Sequence, residues 1–227
     1  MKLHSFEDSV QLRRPLRIPH SPPPFRTQML TIGIIGGVAS GKSAVARRLG
    51  ELGAVVLDAD AAGHEVLRDE AVKAAIRQRF GDKVFTDDGE VNRRAVAAIV
   101  FADTPAGAAA LADLEAIVHP PIGLLLQEKI QAIEQEGTAR VVVLDAAILL
   151  KAGWDRICDK ILFIDVPREI RIQRAAQRGW TPDELDARDA RQTPIEQKRA
   201  AAHVVIDNSG ELANTLAQVD EFWQSLS

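Results

Sequence analysis

From Met29 onward, short unbroken apolar runs alternate with longer segments in which apolar positions recur every three or four residues. The runs cover 30–35, 54–57, 141–144, 160–164 and 203–206. The longer segments cover 43–52, 64–80, 93–101, 105–118, 121–134, 168–178, 181–192 and 210–226. Consecutive apolar positions predict strands buried on both faces, and the three-and-four spacing predicts helices packed against them. Their alternation predicts an α/β three-layer domain with about five parallel strands. No internal repeat and no second core shows in the pattern.

The first 28 residues follow no such rhythm. They hold no glycine, five of the eleven prolines and no apolar periodicity, so residues 1–28 are expected to form a disordered extension ahead of a domain spanning 29–227. Three origins stay open: a transit peptide, against which Glu7, Asp8 and the proline run count; an arm with its own partner; or a translation-start artefact, since Met29 opens directly into the first strand.

Composition narrows the class. A 227-residue chain with 46% apolar and 26% charged residues has the balance of a globular protein. It has no window of eighteen uninterrupted apolar residues, so no membrane span or membrane partner is expected. A lone cysteine, Cys158, allows neither an internal disulfide nor a cysteine zinc cluster, which suits a reducing, cytoplasmic setting. The net charge of −4 divides into +3 on residues 1–28 and about −7 on the remainder. An acidic body argues against nucleic acid as a partner, but small phosphorylated ligands need only a local positive pocket.

Such a pocket is written at Gly36-Gly37-Val38-Ala39-Ser40-Gly41-Lys42-Ser43, which fits G-x-x-x-x-G-K-[ST] between the first strand and the first helix. Glycines let successive backbone N–H groups curl around a phosphate, and the helix N-terminus adds partial positive charge. Gly37, Val38, Ala39, Ser40, Gly41, Lys42, Ser43 and Ala44 are therefore the expected nucleotide-binding set. Lys42 can bridge the β- and γ-phosphates of ATP, and the Ser43 hydroxyl can ligate Mg²⁺. Neither N-K-x-D nor a D-x-x-G after the third strand is present, which excludes a GTPase reading. The compact size and the arginine-rich late segment suggest a kinase for a small acceptor.

Two further groups suit that chemistry. Arg171, Arg174 and Arg178 share one helical face, ahead of a Gly179-Trp180-Thr181-Pro182 break and Arg188 and Arg191. A solvated face is the bland reading, whereas a closing lid would carry arginines onto the migrating phosphoryl group. Asp58 and Asp60 follow the second strand, where one carboxylate can meet an acceptor hydroxyl and the other the water shell of Mg²⁺, or both can serve a turn and a helix cap. Four apolar runs end in aspartate, at Asp58, Asp145, Asp165 and Asp207. The last two are read as strand-end turns.

In order along 29–227, the sequence resembles the dephospho-coenzyme A kinase family. The segments that carry the resemblance are the glycine-rich loop and Asp58-Ala59-Asp60, then Gly89, Arg93 and Val100-Phe101. Leu114, Ile117, His119, Pro120 and Ile122 follow, then 141–150, Gln177-Arg178-Gly179 and the closing 205–210. Ala147, Lys151 and His203 depart from the family pattern, where a proline, a glutamate and an aspartate are usual. The resemblance implies a P-loop NTPase fold and transfer of the ATP γ-phosphate to the ribose 3′-hydroxyl of dephospho-coenzyme A. It implies a helical acceptor-binding insert over about 61–119 and a lid over about 177–192. Lys42, Asp60, Arg174 and Arg178 would be catalytic, with Asp58 the alternative to Asp60. Asp58, Asp60, Arg93 and His119 would face the acceptor, although His119 beside Pro120 would equally well end a helix. A monomer is expected. Two rivals stay open: a P-loop kinase for another small acceptor, and an ATP-gated module without catalysis.

Overall fold

The computed structural model describes residues 29–226, so the expected disordered extension at 1–28 lies outside the described residues. Five parallel strands form one sheet: β1 (Leu30–Gly36), β2 (Val55–Asp58), β3 (Val141–Asp145), β4 (Lys160–Asp165) and β5 (Val204–Asp207), in the order β2-β3-β1-β4-β5. Because side chains alternate across a strand, each central strand feeds two cores. Ile32, Ile34, Val143, Leu162 and Ile164 face one side, with α1 (Lys42–Glu51) and α9 (Leu212–Gln224). Ile35, Val142, Leu144, Ile161 and Phe163 face the other. This two-sided burial is why the runs are continuously apolar. The expected three-layer α/β fold is present.

The insert between β2 and β3 consists of α2 (Ala59–Val66), α3 (Glu70–Phe80), α4 (Arg93–Val100) and α5 (Pro105–Glu136). Two expectations are corrected here. The single helix expected over 64–80 is two, because Asp69 caps α3 by accepting from the N–H groups of Ala71 (2.9 Å) and Val72 (3.1 Å). The two helices expected over 105–118 and 121–134 are one helix of 32 residues that runs through Pro120 and Pro121. Each interior proline removes a ladder donor, at about 3 kcal/mol. Packing of α5 on α2, α3 and α4 outweighs that local loss. Trp154, on a 3₁₀ turn, closes on α5 so tightly that a β-carbon at Gly123 would sit 2.9 Å from its indole nitrogen. The most apolar part of α5 has a mean hydropathy of 1.4, long and apolar enough to cross a membrane. A search for unbroken apolar runs passes over such a segment.

After β4 come α6 (Arg168–Ala176), α7 (Pro182–Asp189) and α8 (Ile195–Ala201), the last absent from the sequence expectation. Thr181 and Glu184 form a reciprocal capping box that starts α7.

Candidate active site

The turn from β1 into α1 is shaped by its glycines. Gly41 sits at φ 86°, and a β-carbon at Gly36 would lie 2.9 Å from the Ile164 carbonyl. Ala39, at φ 62°, is the only other described non-helical position in the loop with positive φ. Among the described residues, the N–H groups of Ala39, Gly41, Lys42 and Ser43 have no acceptor. Those donors are the cradle that an anion needs.

The loop is held from outside by groups late in the chain. Asp189, at the end of α7, accepts from the Val38 N–H (2.9 Å) and pairs with Arg171, which also donates to the Val38 carbonyl (3.3 Å). Lys198 of α8, 2% exposed, donates to the Gly36 carbonyl (2.9 Å) and to Gln192 Oε1 (2.6 Å). Asn208 donates to the Ser40 carbonyl (2.8 Å), and its own carbonyl accepts from Arg174 (2.8 Å). Sequence reasoning missed Lys198, Asp189 and Asn208 as supports of the loop. Asp189 and Asn208 lay within segments it had singled out, the expected lid and the closing 205–210, whereas Lys198 lay in none.

Two cavities meet beside this loop. The smaller, about 230 Å³, is lined by residues 39–43 with Asp58, Asp60, Asp145 and Arg178. The larger, about 570 Å³ and mainly apolar, lies between the insert and the segment after β3, and is lined by Arg93, Val96, Leu114, His119 and Ile122 with Ile148 and Trp154. Asp60 and Ala147 line both.

The two neighbouring aspartates are not equivalent. Asp58 Oδ1 accepts from the N–H groups of Asp60 (2.7 Å) and Ala61 (3.2 Å), which caps α2. The Asp60 carboxylate has no hydrogen-bond partner among the described residues and stands at the junction of the cavities. The two arginines differ as well. Arg178 lines the smaller cavity, while Arg174 is turned to the Ser40 (3.4 Å) and Asn208 carbonyls, as a strut rather than a clamp. Ala44 continues α1 and does not line the cavity.

Asp145 is a site residue that sequence reasoning did not select. It closes β3 in register with Asp58, and burial pushes its carboxyl up, against the pull of Lys42 and with the help of Asp58 and Asp60. Lys42 is half-buried. Desolvation lowers its pKa, and Asp145 leads the carboxylates that oppose this.

His119 does not end a helix, since α5 continues past it, and that expectation is corrected. Its ring meets Trp154 edge to face at 5.8 Å, and burial lowers its pKa against the opposing pull of Glu115, with Lys151 adding to the lowering. The departures from the family pattern find local partners: Lys151 pairs with Glu115 (2.5 Å), and His203 Nδ1 accepts from the Ile161 N–H (3.0 Å).

A family model described as dephospho-CoA kinase matches residues 30–214. A dephospho-CoA kinase of Thermobifida fusca is 41% identical over 200 residues, covering 87% of this chain and 96% of the relative. That of Geobacter sulfurreducens is 38% identical over 197 residues, covering 86% and 98%. A crystal structure from Thermus thermophilus, 33% identical, superposes with a TM-score of 0.72 over 88% of this chain and 100% of its own. A dephospho-CoA kinase from Campylobacter jejuni, at 24% identity, has the same fold, with a TM-score of 0.65 over 87% and 96%.

Proposed function

The chain belongs to the dephospho-CoA kinase family, and from that premise we propose how its residues divide the reaction. The protein is a phosphotransferase of coenzyme A biosynthesis. It transfers the ATP γ-phosphate to the ribose 3′-hydroxyl of dephospho-CoA in the final step.

The free N–H groups of the loop and Lys42 hold the ATP phosphates, with Lys42 following the transferred group. Lys42 lies in reach of that work because its ammonium faces the smaller cavity. Ser43, Asp58 and Asp145 offer oxygen donors in the same cavity, a set suited to a hard divalent cation. These residues would hold Mg²⁺ directly or through its waters, and Mg²⁺ bound with ATP neutralises charge on the phosphate oxygens.

Asp60 is the acceptor-side carboxylate. It has both oxygens available and stands where the phosphate cavity opens into the apolar one, so a hydroxyl presented from the insert reaches it first. Arg178, next to the α6–α7 turn, lies over the migrating phosphoryl group, with the lid at about 177–192 built around α7. Arg174 keeps the loop in shape. Arg93 and His119 bound the acceptor cavity. A cytoplasmic monomer without nucleic-acid or membrane partners completes the proposal.

The junction of the two cavities at Asp60 carries this reading. Its test is ADP release measured with dephospho-CoA, with other small acceptors and with none. Release that depends on dephospho-CoA is expected. Equal release with a nucleoside monophosphate or a sugar acid favours a different acceptor, and ATP binding without turnover favours a switch.

A further inference from the structure

The apolar cavity has a charged annex. A space of about 180 Å³ is lined by His64, Leu67, Arg68, Glu90, Val91 and Arg93. Four of these, His64, Leu67, Val91 and Arg93, also line the larger cavity, so the two are continuous. Its one acid is already neutralised, because Glu90 pairs with Lys73 at 2.5 Å. Among the described residues, neither Arg68 nor Arg93 has an ion-pair or hydrogen-bonding partner for its guanidinium. The annex is therefore a positive recess that opens off the acceptor cavity.

Its distance from the chemistry is set by α2. Asp60 and His64 are one turn apart, and Arg68 comes four residues later, just past the last turn. At 1.5 Å per residue, His64 stands roughly 6 Å along the axis from Asp60 and Arg68 roughly 12 Å. In dephospho-CoA the same ribose that offers its 3′-hydroxyl carries a diphosphate on its 5′-carbon. The ring and one methylene separate them, a gap on the scale of one helical turn. With the hydroxyl at Asp60, a diphosphate one turn away would lie by His64, in the recess that Arg68 and Arg93 line.

We propose that Arg68 and Arg93 form the subsite for the acceptor's 5′-diphosphate, a proposal that rests on the kinase reading above. The annex selects acceptors that carry a 5′-diphosphate over free nucleosides. Guanidinium groups suit this role, since they offer paired donors to phosphate oxygens and keep their charge at every working pH.

The test compares dephospho-CoA with adenosine, which has the 3′-hydroxyl but no diphosphate, at saturating ATP and Mg²⁺. The proteins are the full-length wild type, Arg68→Gln, Arg93→Gln, the double variant and the corresponding lysine variants. The wild type is expected to prefer dephospho-CoA strongly in kcat/KM. In the double glutamine variant that preference should fall by about tenfold to a hundredfold, the scale of losing charged hydrogen bonds, with the loss in KM for dephospho-CoA rather than in kcat. Lysine variants should recover most of it. Both arginines are solvent-exposed, so each single variant retains a fold in which the ratio can be read. An unchanged preference, or an equal loss for both acceptors, overturns the subsite and leaves the kinase reading standing. A wild type that releases no ADP in response to dephospho-CoA overturns the kinase reading and the subsite with it.

Discussion

A buried cation whose titration has moved leaves a signature in stability against pH, and Lys198 is such a group. Its ammonium is enclosed beneath the phosphate loop and donates to two oxygens, Gly36 O and Gln192 Oε1. Burial, then the charges of Lys42 and Arg171, hold its pKa down at about 8 against the pull of Asp189, from an ordinary value of 10.5. Between those values the unfolded chain keeps a proton that the native protein lacks. Stability therefore rises with pH across this window, and the gain is lost as pH falls from 10.5 through 8. At about 1.4 kcal/mol per pKa unit, the whole span is worth at most roughly 3 kcal/mol. Lys198→Met removes this titration. It also strips two buried oxygens of their donor, which costs about 1–3 kcal/mol each. Near pH 7 that loss is largely offset by relief from burying a charge, and at pH 9.5 the relief has gone. Urea unfolding followed by tryptophan fluorescence at the two pH values reads the difference. The gap between wild type and variant should widen by about 2 kcal/mol toward alkaline pH, or about 1 M in urea midpoint. A gap that is constant with pH, or that narrows, refutes the reasoning.

Asp60→Asn should lower kcat by roughly a hundredfold or more with ATP affinity little changed, the scale of a lost general base. Asp58→Asn keeps an N-cap and should leave stability unchanged, whereas Asp58→Ala should lose about 1 kcal/mol in thermal unfolding. If Asp58→Asn proved far more damaging to kcat than Asp60→Asn, the roles assigned to the two carboxylates would be the wrong way round. Arg178→Ala should cut kcat without moving the melting temperature, and Arg174→Ala should lower the melting temperature by several degrees, since it unties two carbonyls. The reverse pattern, read by kinetics and calorimetry, would exchange their roles. Lys42→Ala should abolish transfer while the circular dichroism spectrum stays native, and activity within tenfold of wild type would remove the loop from the chemistry.

The strands were legible because burial on both faces leaves no polar position to interrupt them. The break at Leu67 and Arg68 was not, because the 3.6-residue period of apolar side chains passes through it unaltered and only Asp69's capping bonds reveal it. Pro120 and Pro121 misled in the opposite direction: a sound local rule was overruled by the packing of α5 on three helices. Asp145 shows a different limit. In sequence it is indistinguishable from Asp165, each ending an apolar run. The strand order puts Asp145 between β2 and the phosphate loop, while Asp165 falls on the other side of β1 and pairs with Arg199. The same holds for Arg174 and Arg178, which share a helical face in projection. α6 stops at Ala176, so Arg178 leaves that face and reaches the cavity.

The struts of the phosphate loop also set an order in time. Asp189, Lys198 and Asn208 lie 151, 162 and 168 residues downstream of the loop positions they hold. On the ribosome, the glycine-rich motif is therefore among the first parts of the domain to emerge, and its supports are among the last. A nascent chain displays the motif through most of its synthesis without the scaffold that shapes it. A product cut short before Asn208 keeps the motif and lacks a late group that holds it.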